Sequence, residues 1–212
     1  MKAMRFLSRA LTAIALIAAT TSCGSVVRNG SSPVFLVIDS LAAIRGQQSG
    51  GTAASALTSD VITIVTTGGA CSTVNPCPTI FGDGGQAVLH LNLKDIGLPG
   101  STPTLTSNNQ VTITRVHIAY RRTDGRNQEG VDVPYAFDTS TTATVGISGN
   151  VTVGFELVRI QAKQEAPLVG LRASGVFIST IADVTIIGQD TVGNQIVVTG
   201  SISVNFGNFG DA

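Results

Sequence analysis

Three kinds of residue in this 212-residue chain could do chemistry, and none is abundant. There are three cysteines, Cys23, Cys71 and Cys77, and two histidines, His90 and His117. One segment, Asp124 to Asp132 (DGRNQEGVD), concentrates carboxylates and amides. Cys71 and Cys77 stand with five residues between them in GGACSTVNPCPTIFGDGG, a turn-rich stretch. In an oxidising compartment a pair so placed forms a disulfide. A metal site built from Cys71, Cys77, His90 and His117 lacks the spacing of a zinc motif. No nucleophile elbow, phosphate loop, dinucleotide fingerprint or zinc-protease helix occurs. No serine is marked out as a partner for either histidine, so no catalytic residue is assigned and no enzyme is expected.

Calcium takes six to eight oxygen ligands, and Asp124, Asn127, Glu129 and Asp132 could supply several. Arg126 places a cation in their midst, and the one-three-five ligand rhythm is missing. The plainer role of the segment is a solvated loop using Asp-Gly turn chemistry. Calcium is therefore the one cofactor the residues could hold, and none is required. Arg115, Arg121 and Arg122, with Arg126, make the only basic cluster. On a strand, Arg115 and Arg121 share a face and Arg122 lies opposite. They solubilise a strand end, paired with Glu129 or Asp132, or dock an acidic protein or sugar. Asp83-Gly84-Gly85 and Asp190 read as turn residues. Glu156 falls on the polar face of its strand, and no second carboxyl is set across a cleft from it as glycoside hydrolysis needs.

The elements that must carry these residues are strands. Polarity comes from Thr, Ser, Gly and Asn, while charged residues are only 12% and Trp is absent. Val, Ile and Leu are too plentiful for a disordered chain. Period-two patterns predict strands at Val34–Ile38, Asp60–Thr67, Gln86–Leu93, Gln110–Arg122, Thr142–Ser148, Val151–Lys163, Thr180–Gln189 and Gln195–Phe206. His90 then lies on the more polar face of its strand. Within Gln110–Arg122 the phase changes between Ile113 and Val116, which predicts a bulge near Arg115. Glu165 to Gly175 is ambiguous, because Pro167 breaks any helix beyond one short turn. The last two strands form a hairpin around Asp190–Asn194, with Gly193 supplying a positive φ. In the last strand Ile196, Val198, Ile202, Val204 and Phe206 share a face, with Gly200 in phase between them. Eight or nine strands, regular turn signals and no amphipathic helix predict an all-β fold, an immunoglobulin-like β-sandwich with Greek-key links. The missing aromatic girdles disfavour a transmembrane barrel.

The N-terminus carries an address. Lys2, Arg5 and Arg9 precede an apolar run from Ala10 to Ala19, then Thr20, Thr21, Ser22 and Cys23. This is the layout of a secretory signal peptide, and its apolar run is about half the ~20 residues a membrane-spanning helix needs. Ending on Cys23, it resembles the lipobox signal of bacterial lipoprotein precursors over residues 1–23. Thr20 stands where that family usually carries Leu. The resemblance implies cleavage before Cys23 and lipidation of Cys23. It implies anchoring in a membrane through the lipid, and an outer-membrane location facing the periplasm or the cell surface, because Gly24 is not the Asp of inner-membrane retention. The domain plan follows: residues 1–22 signal peptide, 23–32 lipidated tether, 33–212 one β-sandwich domain.

Removing residues 1–22 takes three of the 13 basic residues and none of the 13 acidic ones, so three negative charges remain in excess. A mildly acidic chain has no electrostatic case for nucleic acid. The wider chain, including its closing Val204–Asp211 (VNFGNFGD), resembles small exported bacterial proteins of unknown function. The expected function is a lipid-anchored binding or interaction module of the cell envelope, with an envelope protein or glycan as partner. The alternatives are a surface-assembly subunit pairing through an edge strand and, less favoured, an envelope hydrolase.

Overall fold

The computed structural model describes residues 32–47, 50–95 and 104–210. The predicted signal peptide and Cys23 lie outside the described residues, as does nearly all of the predicted tether. The described chain is all-β, with two sheets packed face to face. Its strands are β1 (Val34–Ile44), β2 (Ala53–Ala54), β3 (Ala56–Asp60), β4 (Thr63–Val65), β5 (Cys77–Thr79), β6 (Asp83–Leu93), β7 (Val111–Arg121), β8 (Phe137–Val145), β9 (Val151–Val158), β10 (Ile178–Asp190) and β11 (Gln195–Gly207). One sheet has the order β2-β1-β6-β9 and the other β3-β11-β10-β7-β8; β4 and β5 make a separate ribbon. Every pairing is antiparallel except β3 with β11.

Alternation builds the core. Leu36, Leu89, Leu91, Val153, Phe155 and Leu157 face inward from the first sheet. Val116, Ile118, Val184, Ile186, Val204 and Phe206 meet them from the second. Tyr120 ties the layers together: its hydroxyl donates to the Leu157 carbonyl, and its ring meets Phe206 edge-on at 5.6 Å. Burial and the nearby Asp83 carboxylate hold the Tyr120 phenol neutral, far above its ordinary range.

The predicted bulge is present. Thr114 and Arg115 both point outward, and the register of β7 shifts between Ile113 and Arg115 against β8. The closing hairpin is also as expected, with Gly193 at φ 87°. Several elements differ. The strand expected over Val34–Ile38 runs on to Ile44, and the one expected from Gln86 begins at Asp83, so that Gly84 and Gly85, read as turn residues, lie in β6. The single strand expected over Asp60–Thr67 is split, because Asp60 accepts bonds from the Ile62 amide and the Thr63 hydroxyl and turns the chain between β3 and β4. The strand expected over Thr142–Ser148 begins earlier, at Phe137. The strand expected to reach Lys163 stops at Val158, and Ile160–Gln164 form a short helix, α1. Gln161, Ala162, Lys163 and Gln164 are good helix formers, and the turn carries Lys163 into the interior. A 3-10 turn, Leu168–Leu171, follows and buries Leu168 and Leu171 over the end of the core.

Candidate functional site

The loop between β7 and β8 leaves the sheet at Arg122 and is held by its own side chains. The Arg122 amide donates to Asn127 Oδ1 at 2.6 Å. Arg122 and Arg126 both fork onto the Asp124 carboxylate, with Nη2 to Oδ2 distances of 2.7 and 2.8 Å. Hydrogen bonds from Arg122, then from Arg126, hold the Asp124 carboxyl well below the usual carboxylate range. Asp132 Oδ2 accepts from the Gln128 amide at 3.2 Å, and Glu129 Oε1 from the Ala136 amide at 3.3 Å. The four oxygen-bearing residues considered for calcium are thus turned onto two guanidiniums and four backbone amides, the fourth being that of Arg126 on Asp124 Oδ1. Among the described residues, no three His, Cys, Asp or Glu side chains converge as metal ligands.

The base of this loop borders an open pocket of about 240 Å³, lined by Arg122, Thr123, Asp124, Phe177 and Ser179. Phe177 precedes β10 and is 60% exposed. The Arg122 guanidinium, closed onto Asp124, stands there beside an exposed aromatic ring and two hydroxyls. Such a pocket offers hydroxyls for hydrogen bonds while a ring covers apolar surface.

The arginines expected to form one cluster have separate partners. Arg121 Nε donates to Asp183 at 2.7 Å, and Arg115 lies 3.7 Å from Asp138. Asp124, Asp138 and Asp183 take the places expected for Glu129 and Asp132: the loop turn brings Asp124 to Arg122 and Arg126, and strand register brings Asp138 and Asp183 to Arg115 and Arg121. Burial raises the Asp183 carboxyl, but hydrogen bonds from Arg121 and Ser201 more than offset it and leave it lowered.

Each histidine gives Nδ1 to an aspartate: His90 to Asp39 at 2.8 Å, and His117 to Asp138 at 3.1 Å. They lie on different sheets, on the outward faces of β6 and β7. Cys71 and Cys77 form a disulfide, with Cα atoms 5.4 Å apart, so neither is a thiolate ligand.

A second polar cluster escaped the sequence. Asp83, expected in a turn, is buried at the start of β6. It receives Lys163 Nζ at 2.7 Å and the Ser59 hydroxyl at 2.6 Å on Oδ2, and the Gly46 amide at 2.8 Å on Oδ1. Beside it, Asp60 accepts from Arg45 at 3.0 Å and from the Phe209 amide at 3.2 Å. Burial lowers the Lys163 amine below its ordinary range, with Asp83 opposing the shift.

No protein-family model matches the chain, and comparison with curated proteins finds no match.

Proposed function

We propose that the chain is an exported, lipid-anchored binding module of the bacterial cell envelope, and not an enzyme. The N-terminal pattern ending on Cys23 supports the anchor, and the Cys71–Cys77 disulfide is in keeping with an oxidising, extracytoplasmic compartment. The observation that carries the binding role is the pocket where the Arg122–Asp124 pair, Thr123 and Ser179 stand beside the exposed ring of Phe177. Its hydroxyls and its ring suit an envelope glycan or a protein segment. The edge-pairing alternative is less favoured, because the two long edge strands β8 and β9 lie against each other, with the Thr141 hydroxyl donating to the Gly154 carbonyl at 3.2 Å.

Two experiments test this function. Mass spectrometry of the mature protein from membranes should find a lipid-modified N-terminus at Cys23; an unmodified terminus there, or cleavage elsewhere, removes the anchor. Titration with envelope polysaccharide and with envelope-derived peptides should show binding that Arg122→Ala and Phe177→Ala each weaken about tenfold, the loss of one good contact. Binding unchanged in both variants removes the pocket from the function.

A further inference from the structure

Lys163 is the largest of the fully buried side chains, and its ion pair with Asp83 is sealed from solvent on both sides: the two side chains are 1% and 0% exposed. An ion pair at such depth loses the hydration of both charges and seldom stabilises a fold relative to apolar packing. The surroundings go beyond what a charge pair needs. Gly46 N–H and Ser59 O–H fix both carboxylate oxygens from two other segments of the chain. Asp60 and Arg45 act on the Lys163 charge in opposite senses. The amine is at hydrogen-bond distance from a carboxyl group that cannot turn away and that water does not reach.

We propose that Lys163 and Asp83 join in an intramolecular isopeptide bond, formed by the folded chain itself. Proton transfer within the pair gives a neutral amine and a carboxylic acid. The Lys163 Nζ lone pair attacks Asp83 Cγ, and the Nζ–Cγ bond forms. The Gly46 amide donates to Oδ1 as negative charge develops there, as an oxyanion donor does. The Cγ–Oδ2 bond then breaks, and Oδ2 leaves as water with the acid's proton and one proton from Nζ. The Ser59 hydroxyl, bonded to Oδ2, is placed to pass that proton. One amine and one acid give one amide and one water, with no oxidant, activating nucleotide or second enzyme. Holding the two groups in contact supplies the entropy that such a condensation lacks in solution, and burial of the lysine favours the uncharged, nucleophilic amine. The bond would tie α1, and β9 before it, to the start of β6.

The full-length chain, reduced and alkylated, tests this by intact mass and by tryptic mapping. The expected mass is one water below that of the sequence. Trypsin is expected not to cut after Lys163, and the peptides bearing Asp83 and Lys163 are expected to appear as one branched species. Asp83→Ala and Lys163→Met should each restore the missing water. If either variant fails to fold, the map of the unmodified chain remains decisive. A full mass together with cleavage after Lys163 overturns the proposal and leaves the contact an ordinary buried ion pair.

Discussion

Gly200 in the middle of β11 lies directly beneath Leu41 of β1. A Cβ added at Gly200 would stand 2.6 Å from Leu41 Cδ1 and 3.0 Å from Ile38 Cδ1. The two sheets close to their packing distance at that point because one strand offers no side chain there. Gly200→Ala is expected to destabilise the fold by about 1–3 kcal/mol through overpacking. Chemical denaturation should show a lower midpoint with an unchanged slope. A midpoint equal to that of the parent chain would mean that Leu41 moves aside without cost.

The Cys71–Cys77 bond closes a ring of short sequence separation and supports the β4–β5 ribbon, where Val65 pairs with Cys77. Replacing both cysteines by serine is expected to cost about 2 kcal/mol at most, by the loop-entropy relation. The two-sheet core should survive, as read by far-ultraviolet circular dichroism. Loss of all strand signal on reduction would show that the ribbon is needed for folding.

Asp60 holds Arg45 and the Phe209 amide together, with its own side chain almost wholly buried. Asp60→Ala removes one partner of a largely desolvated pair and is expected to cost about 3 kcal/mol. Amide exchange should quicken at Ile62 and Phe209, the two backbone donors that Asp60 accepts from. Exchange rates unchanged at both would show that other acceptors take its place.

Acid should weaken the fold through identifiable carboxylates. Asp183 and Asp190 both sit below the ordinary range when folded. At Asp190 burial raises the carboxyl, but bonds from Asn194, Ser32 and Val192 outweigh it. A carboxyl depressed in the folded chain binds its proton more tightly when unfolded. Its contribution is therefore full above the unfolded value of about 3.9 and is lost as pH falls through the folded values. Denaturation midpoints should fall between about pH 5 and about pH 2. The Asp183→Asn, Asp190→Asn double variant should show a shallower fall; a slope identical to the parent's would assign the acid sensitivity to other groups.

What could be read from the chain follows physical range. The alternation of β11 and the phase slip at Thr114 are local, so periodicity alone exposed the hairpin and the bulge. The disulfide followed from the cysteine count once Cys23 was set aside. The clasp of Arg122 and Arg126 on Asp124 is also local, two residues either way, and that spacing could have revealed it. The partners of Arg121 and His117 depend on strand register, which is fixed only when β7 takes its place between β8 and β10. Lys163 and Asp83 are the extreme case. Asp-Gly-Gly imitates a turn, and a lysine after a strand imitates a solvated end. Only the meeting of four separate segments turns the two residues into a buried pair.

The contact of β8 with β9 has a further consequence for how copies of this protein meet. A sheet grows by recruiting another strand to a bare rim. On this flank the two rims lie against each other, and the Thr141 hydroxyl already occupies the Gly154 carbonyl, so an incoming strand meets the margin of the opposite layer as well as the edge it would join. The other flank ends in the two-residue β2 and the five-residue β3, with a cleft between them lined by Ala43, Ala54, Ala56 and Leu57. A molecule crowded among identical neighbours is thereby guarded against fibre formation on one side by the contact of its two layers and on the other by the brevity of its margin.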